Sequence, residues 1–169
     1  MKKCCIIFLS IVIIILTAFA GVPKTEEDYL RIHIRAHSDG RADQAVKYDV
    51  RDAVVLYLTP LVAGLNSKEE ALSVLSVHLS ALEGIAEEIL KKEGFSYGAR
   101  ASLKREAFPT RVYEQTVLEA GVYDALILEL GSAEGDNWWC VVYPALCFSG
   151  KPKEYKSFLW EIVQKYIGG

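Results

Sequence analysis

The stretch "YLRIHIRAHSDG", residues 29–40, alternates without interruption up to its polar end. Leu30, Ile32, Ile34 and Ala36 fall on one side, and Arg31, His33, Arg35 and His37 on the other. A period of two predicts a half-buried β-strand. Its basic side reads either as a solvated face or as an edge that docks an acidic or phosphate group. Ser38-Asp39-Gly40 breaks the alternation, and Ser38 or Asp39 suits the cap of a following helix.

Working outward, Ala42, Val46, Val50, Ala53, Val54 and Tyr57 recur at helical spacing up to Pro60. A second helix opens at "NSKEEAL", where Ser67 and Glu70 have the spacing of a capping box. Leu72, Leu75, Leu79, Leu82, Ala86 and Ile89 continue it, Gly94 is its natural stop, and its length is about 40 Å. Strand character returns at "FSYGARASLKREAF" (95–108), "VYDALILELG" (122–131) and "WWCVVY" (138–143), and a last helix is expected from about Lys153 to Ile167. The order is β-α-α-β-β-β-α. Short connections between the last three strands predict an antiparallel meander, which the first strand joins after two helices. The expected fold is therefore α+β, a mixed, mostly antiparallel sheet of about four strands with helices packed on it.

The chain has 169 residues and a formal charge of −3, enough for one domain. "MKKCC" is a short basic start, "IIFLSIVIIILT" an apolar run, and "AFA" (18–20) offers a signal-peptidase site. The expected division is a signal peptide over 1–20, a linker over 21–28 and one exported globular domain over 29–169. The rival is an uncleaved membrane anchor over residues 6–22. The leader carries Lys2 and Lys3 and no acid, so −3 less its two positive charges leaves −5 for the remainder. That balance argues against nucleic acid as a partner.

No paired-carboxylate signature, phosphate loop, serine elbow or zinc motif is visible, so no catalytic residue, metal or cofactor is assigned. His33 and His37 share a strand face about 13 Å apart, too far for one ion, and with His78 read as surface histidines. Cys140 and Cys147 frame Tyr143-Pro144. A disulfide, two buried thiols, or a nucleophile or ligand are the three readings, and an exported domain favours the first. Trp138 and Trp139 point to opposite sides of their strand. One belongs to a core and the other needs a helix or a partner.

Asp43, Lys47 and Arg51 form one stripe of the first helix, read by default as solvated. Together with His37, Ser38 and Asp39 at the strand end they make a corner suited to presenting polar groups. These six are the candidate partner-binding residues, with Asn137 and Trp138 as a second choice.

"LRIHIRAHSD", "DQAVKYDVRDAV", "FPTRVY", "LEAGVYDAL" and "GDNWWCVVYPALCF" together resemble the stage II sporulation protein R family over about residues 29–148. The chain departs from the family pattern at His37, Glu119 and Ala145, where asparagine, proline and proline are usual. The resemblance implies a non-enzymatic signal, exported across the forespore membrane into the space facing the mother cell. Its implied partner is a membrane-embedded sporulation aspartic protease, which matures the pro-form of sigma-E. Membrane contact of the signal itself would then come only through an uncleaved N-terminal segment. The rivals are an envelope hydrolase using Cys140 with a histidine, and a small-ligand-binding domain.

The leader reading predicts an exported form that begins near Gly21. N-terminal sequencing of the secreted fraction checks it, and an intact Met1 in the membrane pellet would mark an anchor.

Overall fold

The structure is a computed structural model, described over residues 26–113, 116–145, 147 and 156–167. The leader (1–20), the anchor span (6–22) and the expected start of the last helix at Lys153 lie outside the described residues. A 3-10 turn at Glu26–Asp28 precedes strand β1 (Leu30–Arg35). Helices α1 (Arg41–Val62) and α2 (Lys68–Lys92) follow, then β2 (Ala99–Phe108), β3 (Arg111–Tyr113), β4 (Thr116–Leu118), β5 (Gly121–Leu130), β6 (Asn137–Tyr143) and α3 (Ser157–Gln164). The fold is α+β, a mixed four-stranded sheet with the helices packed on it.

Local chemistry accounts for the helix ends. Ser67 is the N-cap of α2, its Oγ accepting from the Glu70 amide at 3.1 Å, while Glu70 Oε2 accepts from Asn66 N at 2.9 Å. This is a capping box with its return arm displaced by one residue. Gly94, at φ +85°, ends the helix in the left-handed conformation that glycine adopts without strain. The cap expected of α1 is not made. Gly40 holds that position with no side-chain bond, because Ser38 and Asp39 are engaged elsewhere. Nor does Pro60 stop α1, which closes two residues later at Val62, and Ala42, expected in the core, is exposed.

The sheet order is β2-β5-β1-β6. The last three long strands therefore do not form the expected meander. Strand β1 enters between β5 and β6, parallel to β5 (Leu30↔Asp124 through Arg35↔Glu129) and antiparallel to β6. β2 and β5 do pair as antiparallel neighbours. The physical reason lies in β5, where Ala125, Leu126, Ile127 and Leu128 are all buried. A continuous apolar run needs cover on both faces, which an interior strand receives and an edge strand does not. Charged β2, with Lys104 and Arg105 exposed, takes an edge.

The two faces carry separate cores. Leu30, Ile32, Ile34, Leu126, Leu128 and Val142 pack with the three helices. Tyr29, Phe108, Leu118, Tyr123, Ile127 and Val141 form a second cluster on the other face. The β3–β4 hairpin, which the sequence patterns had left unassigned, contributes Leu118 and Tyr113 to it.

Because β1 separates β5 from β6, the loop over 131–136 must cross the end of β1. It is pinned there by Gly135 N to Ala36 O at 3.0 Å and Glu134 N to His37 O at 3.2 Å. A β-carbon at Gly135 would overlap the Ser38 carbonyl, whereas Gly64 faces open space. Gly135→Ala is thus expected to lose about 2 kcal/mol of stability in urea unfolding, with Gly64→Ala close to neutral as the control.

Candidate functional site

The crossing loop and the turn between β1 and α1 bring five of the candidate residues together and spend most of their polar groups internally. Asp39 Oδ1 accepts from Asp136 N at 2.6 Å, which is why it does not cap α1. Asp43 accepts from Ser38 Oγ and from Tyr97 Oη, the latter at 2.6 Å, and these two bonds hold its carboxyl below the usual carboxylate range. The His37 ring stacks on Tyr97 at 4.4 Å, and its Nδ1 accepts from Ser132 N at 2.9 Å. Lys47 is not a solvated stripe residue; only 1% of it is exposed. Its Nζ donates to Gln44 Oε1 at 2.6 Å and to Asp136 O at 2.9 Å. Burial lowers its pKa. The corner is a clasp joining β1, α1 and the crossing loop.

One turn further along α1 the chemistry faces outward. The Arg51 guanidinium lies 4.7 Å from the Tyr48 ring centre and 5.9 Å from that of Trp138, with Asp52 accepting from its Nε at 2.7 Å. Tyr48 is 44% exposed, and Arg51 and Trp138 are half-buried. Asn137 does not belong with Trp138, because adjacent strand residues face opposite ways. Asn137 lies beside His33 on the far face.

That far face contradicts the reading of the first strand as half-buried and of its histidines as surface groups. Arg31 is fully buried and His33 is 4% exposed, while His37 and His78 are half-buried. His33 sits between Phe108 and Trp139, ring centres 5.8 and 5.3 Å away. Its Nδ1 bonds Glu106 Oε1 at 2.7 Å, and Arg35 reaches the same oxygen at 2.5 Å and Glu129 at 3.0 Å. Burial lowers the His33 pKa despite the Glu106 bond. For Glu106, burial pulls upward, but the bonds from His33 and Arg35 outweigh it and keep the carboxyl low. Among the described residues Arg31 makes one hydrogen bond, from Nη2 to Tyr113 Oη at 2.8 Å. Phe108 and Tyr123 flank its guanidinium at 4.2 and 4.8 Å. Such stacking returns about 2 kcal/mol, less than the several that burying an ion costs.

From the middle of β6, Cys140 is joined to Cys147 as a disulfide, their Cα atoms 6.3 Å apart, across a cis Tyr143–Pro144 bond. Cys140 is 1% exposed. Among the described residues no group of three or more His, Cys, Asp or Glu is placed to hold a metal ion.

The family model described as Stage II sporulation protein R (spore_II_R) matches residues 26–153. The chain belongs to the stage II sporulation protein R family. It is 35% identical over 161 residues to the stage II sporulation protein R of Bacillus subtilis (strain 168), covering 88% of this chain and 72% of that one. No solved structure matches it. The family match spans all six strands and the clasp, the Tyr48–Arg51–Trp138 patch and the disulfide.

Tyr48 and Glu106 had not been singled out for any role, and Arg31 only as one of four residues on the basic side of the first strand. Strict alternation had placed Arg31 on a face assumed open to water, and only the unbroken apolar run in β5 signalled that both faces are covered.

The His33–Glu106 pair predicts acid lability with a definite sign. Below the ordinary histidine value of 6.5, the unfolded chain takes up a proton that folded His33 resists. Below 4.5 the unfolded carboxylate protonates while folded Glu106 stays charged. Both effects remove stability as pH falls. Unfolding free energies from urea titrations between pH 7.5 and 5 should drop, by up to about 1.4 kcal/mol per pH unit for one proton, and His33→Gln should flatten that part of the profile.

Proposed function

We propose that this protein is an exported sporulation signal that activates a membrane-embedded aspartic protease, which then processes the pro-form of sigma-E in the mother cell. Membership of the stage II sporulation protein R family over residues 26–153 carries this reading. The N-terminal "MKK", apolar run and "AFA" agree with export into the space between forespore and mother cell, or with anchoring at its membrane. The hydrolase alternative is disfavoured because its nucleophile, Cys140, is buried and bonded to Cys147.

The contact is assigned to Tyr48, Arg51 and Trp138, bordered by Asp39 and Asp136 of the clasp. An activator works only by binding the active state of its target better than the resting state. Moving a target from about 1% to 99% active requires a difference of about 5.5 kcal/mol. Tyr, Trp and Arg are the residue types that supply about 2 kcal/mol or more apiece at interfaces, so three such anchors on one rigid helix–strand corner reach the required scale. The remaining corner residues act by holding that patch in place.

Co-expression of the full chain with the candidate protease and pro-sigma factor in a non-sporulating host should yield the processed sigma factor on gels. Tyr48→Ala and Arg51→Ala should each reduce processing roughly tenfold or more at unchanged levels of the exported protein. Normal processing in the folded double variant would remove this patch as the contact, and no processing with the wild-type chain would remove the protease reading itself.

A further inference from the structure

The sequence offers the basic side of the first strand as a dock for an acidic or phosphate group, and the structure closes that dock. Arg31 and His33 are buried, and Arg35 is spent on Glu106 and Glu129. What the corner between β1, α1 and the crossing loop shows to solvent is acid. Asp39, Glu134 and Asp136 are exposed, and among the described residues none of them is in an ion pair. Two cations lie at the same end of α1. Lys47 is sealed beneath the acids, its donors taken by Gln44 and the Asp136 carbonyl, and Arg41 is exposed on the first turn. Three negative charges against two positive leave one in excess, and the buried cation cannot reach a partner.

This acidic rim joins the aromatic patch directly. Lys47 Nζ lies 2.9 Å from Asp136 O and 4.8 Å from the Tyr48 ring centre, so the loop and the ring meet over one ammonium. Arg51, the patch's own cation, is already neutralised, its Nε and Nη2 lying 2.7 and 2.6 Å from Asp52 Oδ1. An approaching acid therefore meets three carboxylates of its own sign, whereas a cation gains them.

We propose that this corner reads a basic residue, a Lys or Arg of the partner protein that takes the Asp136 carboxylate with Glu134 and Asp39 beside it. An apolar neighbour of that residue covers Tyr48 and Trp138, which is why a protein segment fits the surface better than a free polyamine. The identity of the partner rests on the protease reading; the sign of its charge rests on this surface alone.

Two experiments keep those apart. The full chain in non-ionic detergent micelles is titrated with acetyl-Leu-Lys-Leu-Lys-Leu-amide while the Trp138 indole and the Asp136 amide are followed by NMR. Saturable shifts are expected, about tenfold weaker or absent with Glu in place of Lys and in about 1 M salt, where screening reaches about 3 Å. No shift, or shifts as large with the Glu peptide, overturns the proposal. Shifts that follow protein concentration without peptide would assign the surface to a second copy of this chain and overturn it too. In the co-expression host, Glu134→Lys with Asp136→Lys should cut processing about tenfold, and Asp136→Asn should cut it less. Glu161→Lys, an exposed reversal on α3, should leave it unchanged. Normal processing by the exported double-lysine variant would overturn the corner as the partner's contact. If the wild-type chain gives no processing, the protease reading falls and the peptide titration still decides the charge preference.

Discussion

Strand β1 has hydrogen-bonded neighbours on both edges and covered side chains on both faces, and the rest of the molecule is arranged to make that possible. On one face the cover is ordinary: Leu30, Ile32 and Ile34 meet the helices. On the other, the strand carries Arg31, His33 and Arg35 into a region lined by Phe108, Tyr123 and Trp139. Buried charge is tolerable only when partners are supplied. Glu106 and Glu129 come from the strands on one side of β1, and Tyr113 comes from the hairpin laid over the face. The hairpin exists in this position because the far face of β1 could not otherwise leave water.

The same insertion of β1 creates the corner. A chain passing from β5 to β6 across the end of β1 needs to be fastened to what it crosses, and Asp39, Gln44 and Lys47 fasten it through the backbone of Asp136. Lys47 and Arg31 make an instructive contrast as buried cations. Among the described residues the ammonium of Lys47 has two good acceptors and joins two segments, whereas Arg31 has one acceptor for a guanidinium with five N–H groups. The first is a finished structural bond. The second leaves its Nε and Nη1 without a partner among the described residues.

A surface that takes up a partner at low ordering cost needs a firm frame. The clasp gives the Tyr48–Arg51–Trp138 patch a fixed frame, since α1 and the start of β6 are tied together directly beside it. The β3–β4 hairpin, a short two-stranded ribbon outside the main sheet, is of a size that is marginal without tertiary support. The two adjacent tryptophans serve opposite faces, Trp138 toward the patch and Trp139 beneath Arg111.

The sequence by itself determined the elements whose signal is local. The strand at residues 30–35, the Ser67 cap, the stop at Gly94 and the long apolar strand over 122–130 all follow from periodicity and capping chemistry, which act between near neighbours in the chain. The family was legible too, because its motifs combine turn residues, caps and core positions that short-range patterns preserve. Strand order, the burial of Arg31, His33 and Lys47, and the true role of Asp39 were decided only by tertiary structure. Alternation reports that two faces differ without saying what covers the polar one, and a lysine on a helix stripe looks solvated until a loop ninety residues away closes over it. Those facts depend on which distant segments meet, and no local period encodes that.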